Sequence, residues 1–134
     1  MQPCRIEIST KTDGKETRVG KAGRMQLSST SLALLYEENG GQVELTMQNG
    51  VVEISRKGDY SMFLHLEKGR ITDGFIGVNG QSGKMQTRTN RLAYALNEKS
   101  ALFSLHYDLL IGEEPQEMKL RIFAQYENDG AGNI

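Results

Sequence analysis

The chain has 134 residues, of which 37% are hydrophobic and 25% charged, with a formal net charge of −1. That is the size and composition of one folded domain with its own core, and it excludes a disordered or low-complexity chain. So balanced a charge supplies no bulk field for nucleic acid or an anionic membrane, and neither is expected as a partner.

The first run alternates Cys4, Ile6 and Ile8 with Arg5, Glu7 and Ser9, the period-two pattern of a strand with one buried face. A longer segment follows with Val19, Met25 and Leu27, and with Gly20 and Gly23 inside it, where a bulge or bend is expected. Ser31 to Glu38 is apolar on both faces. Val43, Leu45 and Met47 then alternate with polar residues, and Asn49-Gly50 turns the chain into Val51 to Lys57. Tyr60 to Glu67 sets Tyr60, Met62, Leu64 and Leu66 on one face. Arg70 to Val78 carries Ile71, Phe75, Ile76 and Val78. Gly83 to Leu92 sets Met85, Thr87 and Thr89 opposite Lys84, Gln86 and Arg88. Ala101 to Ile111 aligns Phe103, Leu105, Tyr107, Leu109 and Ile111, and the last run aligns Met118, Leu120, Ile122, Ala124 and Tyr126. Ser29 to Glu38 and Leu92 to Lys99 are alternatively helical, although neither carries a sustained i, i+3, i+4, i+7 stripe.

The glycines punctuate these runs as Asp13-Gly14, Asn39-Gly40-Gly41, Asn49-Gly50, Gly58-Asp59, Lys68-Gly69, Asn79-Gly80 and Gly112-Glu113. Asn-Gly and Asp-Gly favour the positive φ angles of tight hairpins, so about ten strands joined by hairpins are expected. An open meander of that length leaves two unpaired edges, and closure removes them. The expected fold is therefore all-β: an antiparallel up-and-down barrel of about eight to ten strands, with a two-sheet sandwich as the alternative. A single domain spans residues 1–134, with 128–134 expected to fray.

Several pieces in order resemble the YwiB-like family of small bacterial proteins. They are Gly23-Arg24-Met25, Leu35-Tyr36-Glu37-Glu38, Val52-Glu53-Ile54-Ser55-Arg56-Lys57-Gly58, Gly83-Lys84-Met85-Gln86-Thr87-Arg88-Thr89, and Ala101 to Leu109. The resemblance runs from about the first strand to the last. It departs near Gly77 to Ser82, where a polar, glycine-rich turn stands in place of an aromatic before the glycine. It implies a calycin-type, lipocalin-like barrel in a bacterial cytosol and a domain of unknown function. It carries over no catalytic or binding residues.

The residues themselves offer one pair that demands explanation. Arg56 shares parity with Val52 and Ile54, and Glu38 with Leu32, Leu34 and Tyr36. Two inward charges are expected to pair, since an unpaired buried charge is costly. The pair reads either as a structural ion pair at the barrel rim or, with Tyr36, Thr87 and Thr89, as the lining of a site for a small amphipathic or anionic ligand. His65 and His106 lie on polar faces, and the linear spacing shows no metal-ligand cluster. No cofactor is expected. Asp108 and His106 stand at i and i+2 with no nucleophile, so no triad is read, and the Glu113, Glu114, Glu117 group reads as solvated surface. Gly20-Lys21-Ala22-Gly23-Arg24 and Gly80-Gln81-Ser82-Gly83-Lys84 lack the strand-to-helix setting of a phosphate loop. Arg18, Lys21 and Arg24 with Lys84, Arg88 and Arg91 make at most a modest basic patch.

These features predict a non-enzymatic binding module, with a protein–protein interaction module or homodimer as the alternative. The segment Met1 to Glu7 lacks a basic stretch followed by an apolar one. With a lone cysteine and no long apolar run, a cytoplasmic location is expected.

Overall fold

A computed structural model describes residues 1–127, so the expected fraying of 128–134 lies outside the described residues. Ten antiparallel strands run in chain order: β1 (Gln2–Thr12), β2 (Lys15–Leu27), β3 (Ser31–Glu38), β4 (Gly41–Gln48), β5 (Val51–Lys57), β6 (Tyr60–Glu67), β7 (Ile71–Val78), β8 (Gln81–Leu96), β9 (Ser100–Leu110) and β10 (Gln116–Tyr126). Each pairs with its chain neighbours, and β1 pairs with β10, closing the barrel. Closure removes the two edges of a meander, and the sandwich alternative falls away. The architecture is consistent with a calycin-like fold. No helix among the described residues is long and apolar enough to cross a membrane.

Hairpin chemistry sets the register. Asp13-Gly14, Asn39-Gly40, Asn49-Gly50 and Asn79-Gly80 are two-residue loops with both residues at positive φ, for example +45° at Asn39 and +78° at Gly40. That is the mirror-image turn whose twist matches the flanking strands, and Asn, Asp and Gly tolerate it best. The β1–β2, β3–β4, β5–β6, β7–β8 and β9–β10 turns gather at one end, the distal end. The N-terminus and the end of β10 lie at the other.

The period-two pattern fills the interior. Cys4, Ile6, Met25, Leu34, Leu45, Val52, Leu64, Leu66, Phe103, Leu105 and Ile122 belong to one buried cluster. Each large aliphatic side chain taken fully out of water contributes about 1.5–3 kcal/mol. Neither segment that admitted a helix is helical: Ser31–Glu38 is β3, and Leu92 to Leu96 ends β8 ahead of the short loop at 97–99. Alternation decides for β3, because Leu32, Leu34 and Tyr36 face in while Glu37 is exposed. A helix would have turned Leu34 to the side opposite Leu32 and Tyr36. In β8 a bulge at Asn90 shifts the register between Thr89 and Arg91, which keeps Thr87, Thr89 and Leu92 all buried despite their change of parity.

Candidate functional site: the distal mouth of the barrel

Arg56 faces inward, as its parity requires, and is 3% exposed. Its partner is not the Glu38 carboxylate. Nη1 donates to Asp59 Oδ1 at 2.8 Å and to the Tyr60 carbonyl at 2.9 Å. Nη2 donates to the carbonyls of Glu38 at 3.0 Å and Asn39 at 3.3 Å. The guanidinium also lies 3.9 Å from the centroid of the Tyr60 ring, a cation–π contact. The expected Arg56–Glu38 pair is therefore replaced by a backbone clasp. Glu38 is the last residue of β3, and its half-buried carboxylate forms no ion pair among the described residues. Asp59, in the next turn, lies closer. Its hydrogen bond is the largest cause holding the Arg56 pKa above the ordinary guanidinium range and the Asp59 carboxyl below the usual carboxylate range.

Gly41 and Gly58 make the clasp possible. A Cβ on Gly41 would lie 2.5 Å from Arg56 Cζ, and one on Gly58 would lie 2.6 Å from Gly41 Cα. Arg56 thus stitches the β3–β4 turn to the β5–β6 turn. With both terminal nitrogens committed to these partners, it is a poor receptor for a ligand carboxylate.

The remaining predicted residues face the same interior. Thr87 and Thr89 are fully buried, and among the described residues neither Oγ1 has a hydrogen-bond partner. Thr89 stands directly across the ladder from Tyr107. Tyr36, from the opposite wall, is also buried. Burial pushes the Tyr36 phenol well above its ordinary range, with Glu38 and then Tyr107 adding to the rise. Burial alone pushes Tyr107 to about 12. Both are neutral hydroxyl groups at any physiological pH. Tyr107 was legible as an inward residue, but nothing local in the sequence placed it beside Thr89.

Above this layer the long hairpins continue past the core. Val19, Ile76, Val78 and Ile111 keep inward parity yet are exposed, from 36% at Ile76 to 51% at Ile111. They form an apolar collar around the mouth, with Tyr60 and Met62 half-buried beside Arg56. Surface hollows of about 630, 500 and 450 Å³ are present, the first reaching Val19 of the collar, and none is lined by Arg56, Glu38, Tyr36, Thr87 or Thr89.

On the outer wall the register assembles a group that linear spacing concealed. His106, Asp108 and Glu117 offer ligand atoms within 4.8 Å of one another, because Glu117 faces Asp108 across β9–β10. Linear spacing could not show this group, because Glu117 comes from the neighbouring strand. Asp108 is already committed: its Oδ2 accepts from Asn90 at 3.0 Å and from Arg88 at 3.1 and 3.2 Å. Asn90 and then Arg88 hold that carboxyl below the usual range. A positive charge therefore already sits on Asp108 Oδ2. His106 Nε2 lies 3.4 Å from Glu117 Oε2, within ion-pair distance but without a hydrogen bond.

The fold and this mouth define a ten-stranded closed barrel with a polar, partly unsatisfied layer beneath an apolar rim. The chain belongs to the family described as a domain of unknown function (DUF1934), whose model matches residues 4–122. The ywiB protein from Bacillus subtilis, known from a crystal structure, superposes with a TM-score of 0.74 at 17% identity, covering 94% of this chain and 91% of that one. At that identity the likeness shows the fold. No curated protein matches.

Proposed function

We propose that the domain is a small-molecule binding module that takes an amphipathic ligand at the distal mouth. One observation carries this reading: Thr87 and Thr89 each bury a hydroxyl that has no hydrogen-bond partner among the described residues. A buried polar group without a hydrogen bond costs free energy, and such groups are rare in folded proteins. Two of them side by side on one strand, next to Tyr107 and facing the same interior as Tyr36, provide donors and acceptors for an incoming polar group. The collar of Val19, Ile76, Val78 and Ile111 suits the apolar remainder of that molecule. Arg56 holds the frame of the mouth, and Glu38 offers a carboxylate at its rim.

Native mass spectrometry of protein purified from its host, followed by thermal-shift screening of small hydroxy- and carboxy-bearing amphiphiles, tests this. A retained mass, or a ligand-induced shift lost in the Thr87→Val/Thr89→Val double variant, is the expected result. A crystal structure with ordered water alone against both hydroxyls, together with no shift from any compound, overturns it.

A second reading rests on the outer face of β7, where Ile71 and Phe75 are 55% and 56% exposed and Phe75 packs at 6.4 Å from Phe63. Self-association through that face would cover them. Sedimentation equilibrium of wild type and Phe75→Ser decides it: dimerisation lost in the variant supports the interface, and a wild-type monomer at high concentration removes it.

A further inference from the structure

Of the basic residues grouped by sequence order, only Arg18 and Arg91 line one hollow. Lys84 pairs with Asp73, Arg88 pairs with Asp108, and Lys21 lies opposite inward Ile6. A different set converges on the outer wall built by β2, β1, β10, β9 and β8. Cross-strand register sets Arg18 opposite Ser9, Ser9 opposite Arg121, and Arg121 opposite Ser104. The next row sets Lys11 opposite Lys119, Lys119 opposite His106, and His106 opposite Arg91. The two serines are short and the flanking side chains are long, so a trough forms between them. It is the hollow of about 450 Å³ lined by Lys11, Arg18, Arg91, Lys119 and Arg121, against one carboxylate, Glu16. Glu16 already meets Arg18 at 3.3 Å. Among the described residues Lys11, Arg91, Lys119 and Arg121 form no ion pair. Five cations facing a single carboxylate in one hollow cost mutual repulsion, and an anion relieves it.

The trough does not end at the cations. Ser9, Arg18 and Arg121 also line the adjoining hollow of about 630 Å³, whose other walls include Phe123, Leu102, Gly20 and Glu7. Phe123 is half-buried and stands between Glu7 and Leu102 across the ladder. Gly20, opposite Glu7, has no side chain, and nothing lies within 4 Å of where its Cβ would be. This end offers an aromatic face, open space beside it and one carboxylate acceptor. Aromatic faces stack bases, and carboxylates accept from the exocyclic amino groups of bases.

We infer that this outer wall binds a nucleotide unit, with an amino-bearing base against Phe123 and Glu7 and its phosphate among Arg18, Arg121 and Lys119. The site shares no residue with the polar layer of the distal mouth, although Val19 of the apolar collar also lines its larger hollow. The chemistry is common to free nucleotides and single-stranded nucleic acid, and the experiment separates the two. Fluorescence anisotropy of a labelled single-stranded oligonucleotide and titration calorimetry with adenosine monophosphate are run on the full chain at low salt. Binding of either is expected, the first assigning a strand and the second a free nucleotide. Arg121→Ala/Lys119→Ala weakens it about tenfold or more and flattens the salt dependence, by roughly 0.7 in log–log slope for each strand phosphate no longer neutralised. Phe123→Ala weakens it about tenfold at an unchanged salt slope, because stacking is not an ionic contribution. Lys84→Ala, away from the trough, leaves it unchanged. Thermal melts of each variant confirm that the barrel is intact. No binding of either probe, or binding indifferent to Arg121, Lys119 and Phe123, overturns the assignment.

Discussion

Thr87→Val and Thr89→Val should stabilise the unliganded barrel, which is unusual for changes at fully buried positions. Valine has almost the shape of threonine and replaces the hydroxyl with a methyl group. A buried hydroxyl without a partner costs about 1–3 kcal/mol, because it gave up water and gained nothing. Both Oγ1 atoms are in that condition. Valine is also a favourable strand residue, so the backbone raises no objection. Taking the lower end of the range, each substitution gains about 1 kcal/mol, which raises Tm by roughly 3–5 °C in a domain of this size. The two positions are near neighbours on one face of β8, so their effects need not add. Urea denaturation should show a higher midpoint at unchanged slope, the signature of a stability change alone. The same variants should lose any ligand-induced thermal shift. Stability gained where binding is lost is the trade expected of a functional site. A fall in Tm for both variants refutes the reasoning, since it means the hydroxyls are already hydrogen-bonded in the unliganded protein.

Gly41→Ala places a Cβ 2.5 Å from the Arg56 guanidinium carbon and should cost about 1–3 kcal/mol, the usual penalty for overpacking. Gly83→Ala, on a strand with nothing within 4 Å and no positive φ, should be neutral or slightly stabilising in the same chemical melts. Protonated His65 donates from one ring nitrogen to Glu53 at 2.7 Å and from the other to Glu67 at 2.8 Å, and these two partners, Glu53 first, raise its pKa. A raised folded pKa means that its stabilising contribution is complete below about 6.5, the unfolded value, and fades as pH rises through the folded one. Tm measured from mildly acidic to mildly alkaline pH should therefore decline across that window in wild type and decline less in His65→Gln. Equal profiles would show that the two glutamates do not stabilise the imidazolium.

The barrel was legible because its signals are local. Alternation in β1, β4 and β9 and the Asn-Gly or Asp-Gly pairs at four hairpins each need only neighbouring residues to be read. Parity also located the buried Arg56, Thr87 and Thr89. Parity could not say what those residues meet. The Arg56 partner came from the adjacent turn rather than from Glu38, and Tyr107 came to Thr89 from the next strand. Parity also misjudges strand ends: Ile76, Val78 and Ile111 face inward where no facing wall remains to cover them.

The outer wall failed to show in the sequence for a different reason. Net charge sums over the whole chain, whereas a bound anion senses charges within about one Debye length, roughly 8–10 Å at physiological salt. A chain of net charge −1 can therefore hold a strongly cationic trough, provided its acids are placed elsewhere. Several are: Glu53 and Glu67 flank His65 on β5 and β6, Asp73 meets Lys84 between β7 and β8, and Asp59 serves Arg56, while Glu16 is the one carboxylate lining the trough. Lys11, Arg18, Arg91, Lys119 and Arg121 are scattered across the chain and meet only because β1 and β10 pair to close the barrel. The seam that protects the sheet from an open edge is thus also what brings these cations together. Disrupting the β1–β10 ladder should abolish the cationic trough before any single charge is removed.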